Sequence, residues 1–357
     1  MRAGVPGSVH SRQPTFCGKQ AYAVAKIPSV DGNIIPVACS ILNAAHPPQQ
    51  SAAIPALPAL PALPAALLSE RLELGEAGER VSYYRSRPSH PSALTPLLLV
   101  HSVNAAGSAA EVTPLFEHYR ATRPVYALDL PGFGFSSRTD RAYTPRLMTD
   151  ALLAVIAQMR LDHGCSAVDV LGVSLAAEYA ARAQREAPSS VRRLVLVSPT
   201  GFSRSKRRYG PPGSTLGLPW LYKFFTWPFW SDGIYRGLTR PGVIRYFLER
   251  TWGAKVIDEP LWRYAVLTTR QPGAKHAPFY FVSAYLFSND INTLYEGIEC
   301  PVWVSMATRG DFTDYQGRTT VSSRPNWQFH AVDGGALPYF EDLKSFTSAL
   351  SPFLDEI

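Results

Sequence analysis

A chain of 357 residues, 46% of them hydrophobic, is long enough for one sizeable α/β domain carrying an insertion, and its composition is that of a packed globular protein. No run approaches the roughly 18 continuous apolar residues of a bilayer span, and the amino terminus lacks the apolar core of a secretory signal, so a cytoplasmic protein is expected. The net charge of +7 is uneven: residues 201–300 hold 13 Lys and Arg against 7 Asp and Glu, with five of the seven tryptophans and no nucleic-acid motif, so nucleic acid is not an expected partner.

Residues 1–69 show no evident fold and contain one acidic residue, Asp31, against four basic ones. Within them Pro55, Pro58, Pro61 and Pro64 recur every third residue, which suits the three-residue turn of polyproline II and predicts a semi-rigid spacer. The stretch reads as a disordered extension or an upstream start; the alternative is an organelle-targeting segment, because it is so poor in acids. From residue 70 the punctuation becomes regular. Arg71 to Leu74 and Arg80 to Ser86 flank Gly75-Glu76-Ala77-Gly78, which predicts a hairpin. Pro96 to Ser102, Pro124 to Leu130, Ala167 to Ser174 and Val191 to Ser198 are short, nearly continuous apolar runs, the pattern of strands covered on both faces.

Helices are expected between them, over Ala109 to Tyr119, Thr144 to Arg160 and Leu175 to Ala187. In the second, Met148, Leu152, Val155, Ile156 and Met159 recur at helical spacing. Repeated βαβ units predict an α/β fold with a mostly parallel, doubly wound sheet of about eight strands. The alternation breaks over residues 202–297 and resumes with strands Pro301 to Ala307 and Trp327 to Val332 and a closing helix, Pro338 to Phe353. The core is therefore expected in two parts, 70–201 and 298–357, around a helical insertion too long for a loop. Its Trp220, Phe224, Phe225, Trp227, Phe229 and Trp230 and the run Phe279-Tyr280-Phe281 suit a cap over the sheet edge, or a subdomain packing its aromatics internally.

Ser174 is the candidate nucleophile, the alternative being a small residue that fits a crowded turn. An apolar strand passes through Gly172 and Val173 into this serine and an alanine-rich helix follows at once, with small residues two positions to either side, Gly172 and Ala176. That is the pattern of a nucleophile elbow. Cys17, Cys39, Cys165 and Cys300 have neither metal-ligand spacing nor disulfide density, and no glycine-rich phosphate loop is present, so no cofactor or metal is implied.

Over about residues 70–357 the chain resembles the α/β-hydrolase fold superfamily, in the arrangement with a helical cap between the sixth and seventh strands. Leu97-Leu98-Leu99-Val100-His101-Ser102 is similar to the family strand that ends in His-Gly. Asp129 to Ser136 matches its Asp-x-x-Gly-x-Gly-x-Ser turn, Leu171 to Ala176 its elbow, and Asp311 stands where its acid does. The resemblance implies that Ser174 attacks an acyl carbon while a histidine held by Asp311 takes its proton. It also implies that the N–H groups of Leu175 and of Val103 or Asn104 receive the oxyanion.

One landmark departs: where the family has Gly-His-x-Pro this chain has Gly335-Ala336-Leu337-Pro338, so Ala336 stands at the histidine position. His101, at the end of a strand beside the elbow strand, and His276, in the insertion, are the substitute bases to examine. His330 lies inside a strand, about 10 Å below the loop at roughly 3.3 Å per residue. Asp314 is the other carboxylate near the acid position and is equally placed to cap the helix that follows. The basic run Arg204 to Arg208 reads as a solvated loop. The expected activity is hydrolysis of a hydrophobic ester or related acyl substrate through Ser174 with a degenerate triad. The alternatives are a non-catalytic ligand-binding or scaffold protein, and a lyase-like enzyme on the same fold. A small hydrophobic ligand is the expected partner, with peripheral membrane contact through the basic, aromatic insertion.

Overall fold

The computed structural model describes residues 23–28, 34–39, 62–88, 92–311 and 313–356. Strands β1 (Ala23–Pro28) and β2 (Ile34–Cys39) pair antiparallel in a small sheet of their own, in a stretch expected to have no regular structure. Both runs are rich in Ile, Val and Ala and flank Asp31-Gly32, a dipeptide suited to reversing the chain. Most of the predicted polyproline run lies outside the described residues.

The remaining strands form one eight-stranded sheet: β3 (Glu70–Leu74), β4 (Val81–Ser86), β5 (Leu97–Val100), β6 (Val125–Leu128), β7 (Val168–Val173), β8 (Val191–Val197), β9 (Val302–Ala307) and β10 (Trp327–Val332). Their spatial order is β3-β4-β6-β5-β7-β8-β9-β10. Only the β3/β4 and β4/β6 pairs are antiparallel; the others are parallel.

The two faces of the sheet explain the continuous apolar strands. Side chains alternate along a strand, so Leu98 and Val100 face one core with α2 (Pro145–His163) and α3 (Ala176–Glu186). Leu97 and Leu99 face a second core with α1 (Thr113–Tyr119) and α10 (Leu343–Asp355). Each predicted helix is present with shifted ends. The residues before α1 form a 3-10 turn, Ala109–Val112. The closing helix breaks after Phe340 because the Asp342 carboxylate accepts the Ser345 N–H at 2.9 Å and starts a new helix there.

Between β8 and β9 lie six helices: α4 (Pro219–Thr226), α5 (Ser231–Leu238), α6 (Pro241–Trp252), α7 (Glu259–Thr268), α8 (His276–Val282) and α9 (Ile291–Glu296). Proline in the first turn of α4 and α6 and the Asp258 cap of α7 set their starts. The insertion buries only part of its aromatic content. Phe225 stacks on Phe279, with ring centroids 5.9 Å apart, in a small core with Leu221 and Tyr235. Trp220, Phe224, Trp227, Phe229 and Trp230 are exposed.

No helix among the described residues is long and apolar enough to cross a membrane.

Candidate active site

At the carboxyl end of β7 the backbone turns at Ser174 with φ 53°, in the left-handed region that a residue with a side chain enters only under constraint. The constraint is visible: the Ser174 N–H donates to the Val197 carbonyl of β8 at 2.8 Å, and α3 begins two residues later. The turn is so tight that a Cβ at position 172 would stand 2.8 Å from the Ala176 carbonyl oxygen. Ser174 is half-buried, and its hydroxyl makes no hydrogen bond with any described residue.

Two loops flank it. After β6, the buried Asp129 carboxylate accepts the N–H groups of Ala109 at 2.8 Å and Phe135 at 2.9 Å. Burial pushes its carboxyl up to about 6 against those bonds. Ser136 ties the same turn to β4 by accepting the Ser82 N–H at 2.8 Å. Gly134 is required there because a Cβ would fall 2.0 Å from the Asp129 carboxylate. The Asp129 to Ser136 motif is thus a structural clamp.

After β5, the Ser102 N–H donates to Glu111 at 2.9 Å and the Asn104 amide donates to the same carboxylate at 2.7 Å. Glu111 is buried, and desolvation pushes it up to about 7 although both bonds oppose the shift. This carboxylate shapes the loop that carries Val103 and Asn104. The N–H groups of Val103, Asn104 and Leu175 have no acceptor among the described residues.

No histidine among the described residues is hydrogen-bonded to Ser174. His101 is fully buried with both ring nitrogens engaged, Nδ1 with the Ser102 carbonyl at 2.6 Å and Nε2 accepting the Leu130 N–H at 3.0 Å. Burial holds it down to about 4, so it stays neutral and occupied, which corrects its candidacy as a substitute base. His276, at the start of α8, faces Asp140 at 3.4 Å, and burial lowers its pKa. It is likewise turned to another partner. His330 stacks on Trp303 with ring centroids 4.9 Å apart, as its place inside a strand required.

Asp311 and Ala336, where an acid and a histidine were expected, both meet the end of α6. Asp311 holds a guanidinium: Arg250 of α6 grips both its oxygens, Nη2 reaching Oδ1 at 2.8 Å and Nε reaching Oδ2. Ala336 is 4% exposed and donates its N–H to the Thr251 carbonyl at 2.9 Å. The contact is backbone on backbone. A Cβ at Gly335 would lie 2.5 Å from the Thr251 carbonyl oxygen, and one at Gly310 would lie 2.6 Å from the Arg250 carbonyl oxygen. The end of α6, whose last carbonyls have no partner within the helix, is therefore latched to both loops at once. Asp314 accepts from Ser203 at 2.7 Å and from the Gln316 N–H at 3.3 Å, where a 3-10 turn starts.

A second set of contacts fixes the insertion to the helix behind the elbow. Glu178, fully buried on α3, accepts Arg208 at 2.5 Å and the Ser288 N–H at 2.8 Å. One turn along, Arg182 pairs with Asp290 at 2.6 Å, also buried. Arg208 is thus a correction to the reading of residues 204–208 as a solvated loop: its guanidinium compensates a carboxylate that would otherwise be buried alone.

Sequence reasoning missed Glu111, Glu178 and Arg250. The first two carried a signal, a carboxylate set among apolar or alanine-rich helix positions. Arg250 carried none, because its partner lies 61 residues away. Among the described residues no group of three His, Cys, Asp or Glu side chains converges to hold a metal ion.

A model of the alpha/beta hydrolase family matches residues 97–344. Of characterised relatives, a 1-acylglycerol-3-phosphate O-acyltransferase ABHD5 from Sus scrofa is 37% identical over 113 residues, 30% of each chain. A (lyso)-N-acylphosphatidylethanolamine lipase from Mus musculus is 32% identical over 108 residues, 30% of this chain and 31% of its own. The chain thus matches less than a third of these relatives' length. In fold, a probable hydrolytic enzyme from Pseudomonas aeruginosa PAO1 superposes with a TM-score of 0.59 at 19% identity, covering 79% of this chain and 93% of its own. A serine hydrolase involved in carbazole degradation gives 0.61 at 14% identity, covering 80% and 98%.

Proposed function

The chain belongs to the alpha/beta hydrolase family, and from that premise we propose that it is a non-hydrolytic member, a binding or scaffold protein that keeps the elbow but has no turnover through Ser174. One observation carries this reading: the two loops that would supply the acid and the base are both bonded to the end of α6, Asp311 to Arg250 and Ala336 to Thr251. A serine hydroxyl without a base is a poor nucleophile near neutral pH. The loss of one triad member commonly costs on the order of 10⁴-fold in rate. The partial relatives are named for acyl lipids, and an acyl lipid is the ligand class this reading takes.

A second reading, a serine hydrolase acting on a hydrophobic ester, is favoured by one feature. Ser174 retains its strained backbone, and the N–H groups of Leu175 beside it and of Val103, past the end of the neighbouring strand β5, have no acceptor among the described residues. Those groups would receive an oxyanion, each contributing on the order of 2.7 to 4 kcal/mol.

Treatment with a fluorophosphonate probe separates the two. Wild type is expected to label no faster than Ser174→Ala, and Ala336→His to raise ester turnover less than about tenfold, against the ~10⁴-fold of a completed triad. The new imidazole meets the end of α6 and an Asp311 already engaged. Labelling of wild type that Ser174→Ala abolishes would overturn the non-hydrolytic reading in favour of the second.

A further inference from the structure

Helix α4 is apolar on two opposite faces. Leu221 and Phe225, four residues apart, are buried against Tyr235 and Phe279. Trp220, Lys223, Phe224 and Trp227 follow one another at i, i+3, i+4 and i+7, a single face at helical spacing, and this face is open to solvent, with Trp220 66% exposed. The chain then turns through Pro228, and Phe229 stands out at 88% exposure. These rings form one patch: Trp230 lies 5.6 Å from Phe224 and 6.1 Å from Trp227, and Trp227 lies 6.4 Å from Phe229. The indole N–H of Trp230 donates to the Phe224 carbonyl at 2.7 Å, so that ring offers the outside little but carbon.

A contiguous exposed aromatic patch marks a surface that something covers.

Charge selects what covers it. No Asp or Glu occurs between Glu186 and Asp232. Asp232, the first carboxylate beyond the patch, is paired with Lys275 at 2.5 Å. Lys223, at the edge of the aromatic face, has no ion pair among the described residues. Tryptophan favours the boundary between hydrocarbon and water, and aromatic residues interleaved with cations suit an element lying in that boundary. A protein interface, by contrast, surrounds its aromatic centre with a rim of mixed polar groups.

We propose that the outer face of α4 and the turn that follows it dock onto an anionic lipid bilayer. The rings of Trp227 and Phe229 enter the acyl boundary, and Lys223 lies among the headgroup phosphates. This holds whichever reading of Ser174 stands, since it uses none of the site residues.

The test is flotation of the full chain with phosphatidylcholine vesicles, with and without phosphatidylserine. The chain is expected to float with the anionic vesicles. Trp227→Ala and Phe229→Ala together are expected to weaken that binding about tenfold or more by removing inserted ring area. Lys223→Glu should weaken it about fivefold on anionic vesicles and little on neutral ones. Phe229→Ala alone, at so exposed a position, leaves the melting temperature unchanged and serves as the folding control. Failure of the full chain to bind either vesicle, or binding that the ring substitutions leave intact, overturns the proposal. A concentration-dependent dimer that those substitutions dissolve, without vesicle binding, overturns it in favour of a second copy of the chain.

Discussion

Arg208→Ala is expected to lower the free energy of unfolding by about 3 to 5 kcal/mol, the range for a buried charge left without its partner. The guanidinium reaches Glu178 at 2.5 Å and the Ser288 carbonyl at 2.9 Å, while its own backbone N–H donates to Asn292 at 2.6 Å. It therefore joins three places distant in sequence: the first residues of the insertion, the segment leading into α9, and the helix directly behind Ser174. Removing it strands Glu178, which is 0% exposed, with only Thr200 and the Ser288 N–H as donors.

The charge argument makes a sharper statement than the loss alone. Adding Glu178→Gln to Arg208→Ala should recover a substantial part of the stability, because the uncompensated charge is then gone. Urea unfolding of the two variants checks this, and a double variant no more stable than the single would show that lost packing, rather than a stranded carboxylate, carries the effect.

The parts of the fold legible in the sequence were those set by local pattern. Leu97 to Val100 and Leu194 to Val197 are buried along their whole length, and two-sided burial is what an uninterrupted apolar run encodes. The tight turn at Ser174 was legible for the same kind of reason, since its small residues at positions 172 and 176 answer to a steric demand within five residues.

What the sequence concealed lies in pairings across the fold. The same composition at Arg204 to Arg208 serves a solvated loop or a buried ion pair, and only the arrival of Glu178 decides between them. The aromatic run from Trp220 to Trp230 fits an internal core as well as an outer face. Helical spacing divides it between both, Phe225 inward and Phe224 outward. At the candidate site, Ala336 departed from the family pattern, but nothing local announced that α6 meets the loop there. That contact depends on Gly335 and Gly310 meeting the helix end, which no local pattern encodes.

Glu111→Gln is expected to change how stability depends on pH. The Glu111 carboxyl is raised from its ordinary value near 4.5 to about 7, mainly because burial penalises its charge. In that interval the folded chain holds a proton that the unfolded chain has released, so this group's stabilisation is complete below the unfolded value and is lost as pH rises through the folded one. Glutamine does not titrate. The variant should therefore gain on wild type by about 2 to 3 kcal/mol between about pH 5 and about pH 8.

Asp129, raised to about 6, and His101, lowered to about 4, also contribute in this range, with opposite signs. Both are present in each protein and cancel in the comparison. Gln keeps one oxygen for the Ser102 N–H or the Asn104 amide but places an NH₂ where the second oxygen stood. The variant thus starts with a deficit at low pH that narrows or reverses above neutrality. Denaturant unfolding of the pair across this pH range gives curves that converge or cross. Parallel curves would mean that Glu111 is ionised in the folded chain throughout, and that the loop carrying Val103 and Asn104 is held by a charge rather than by a neutral acid.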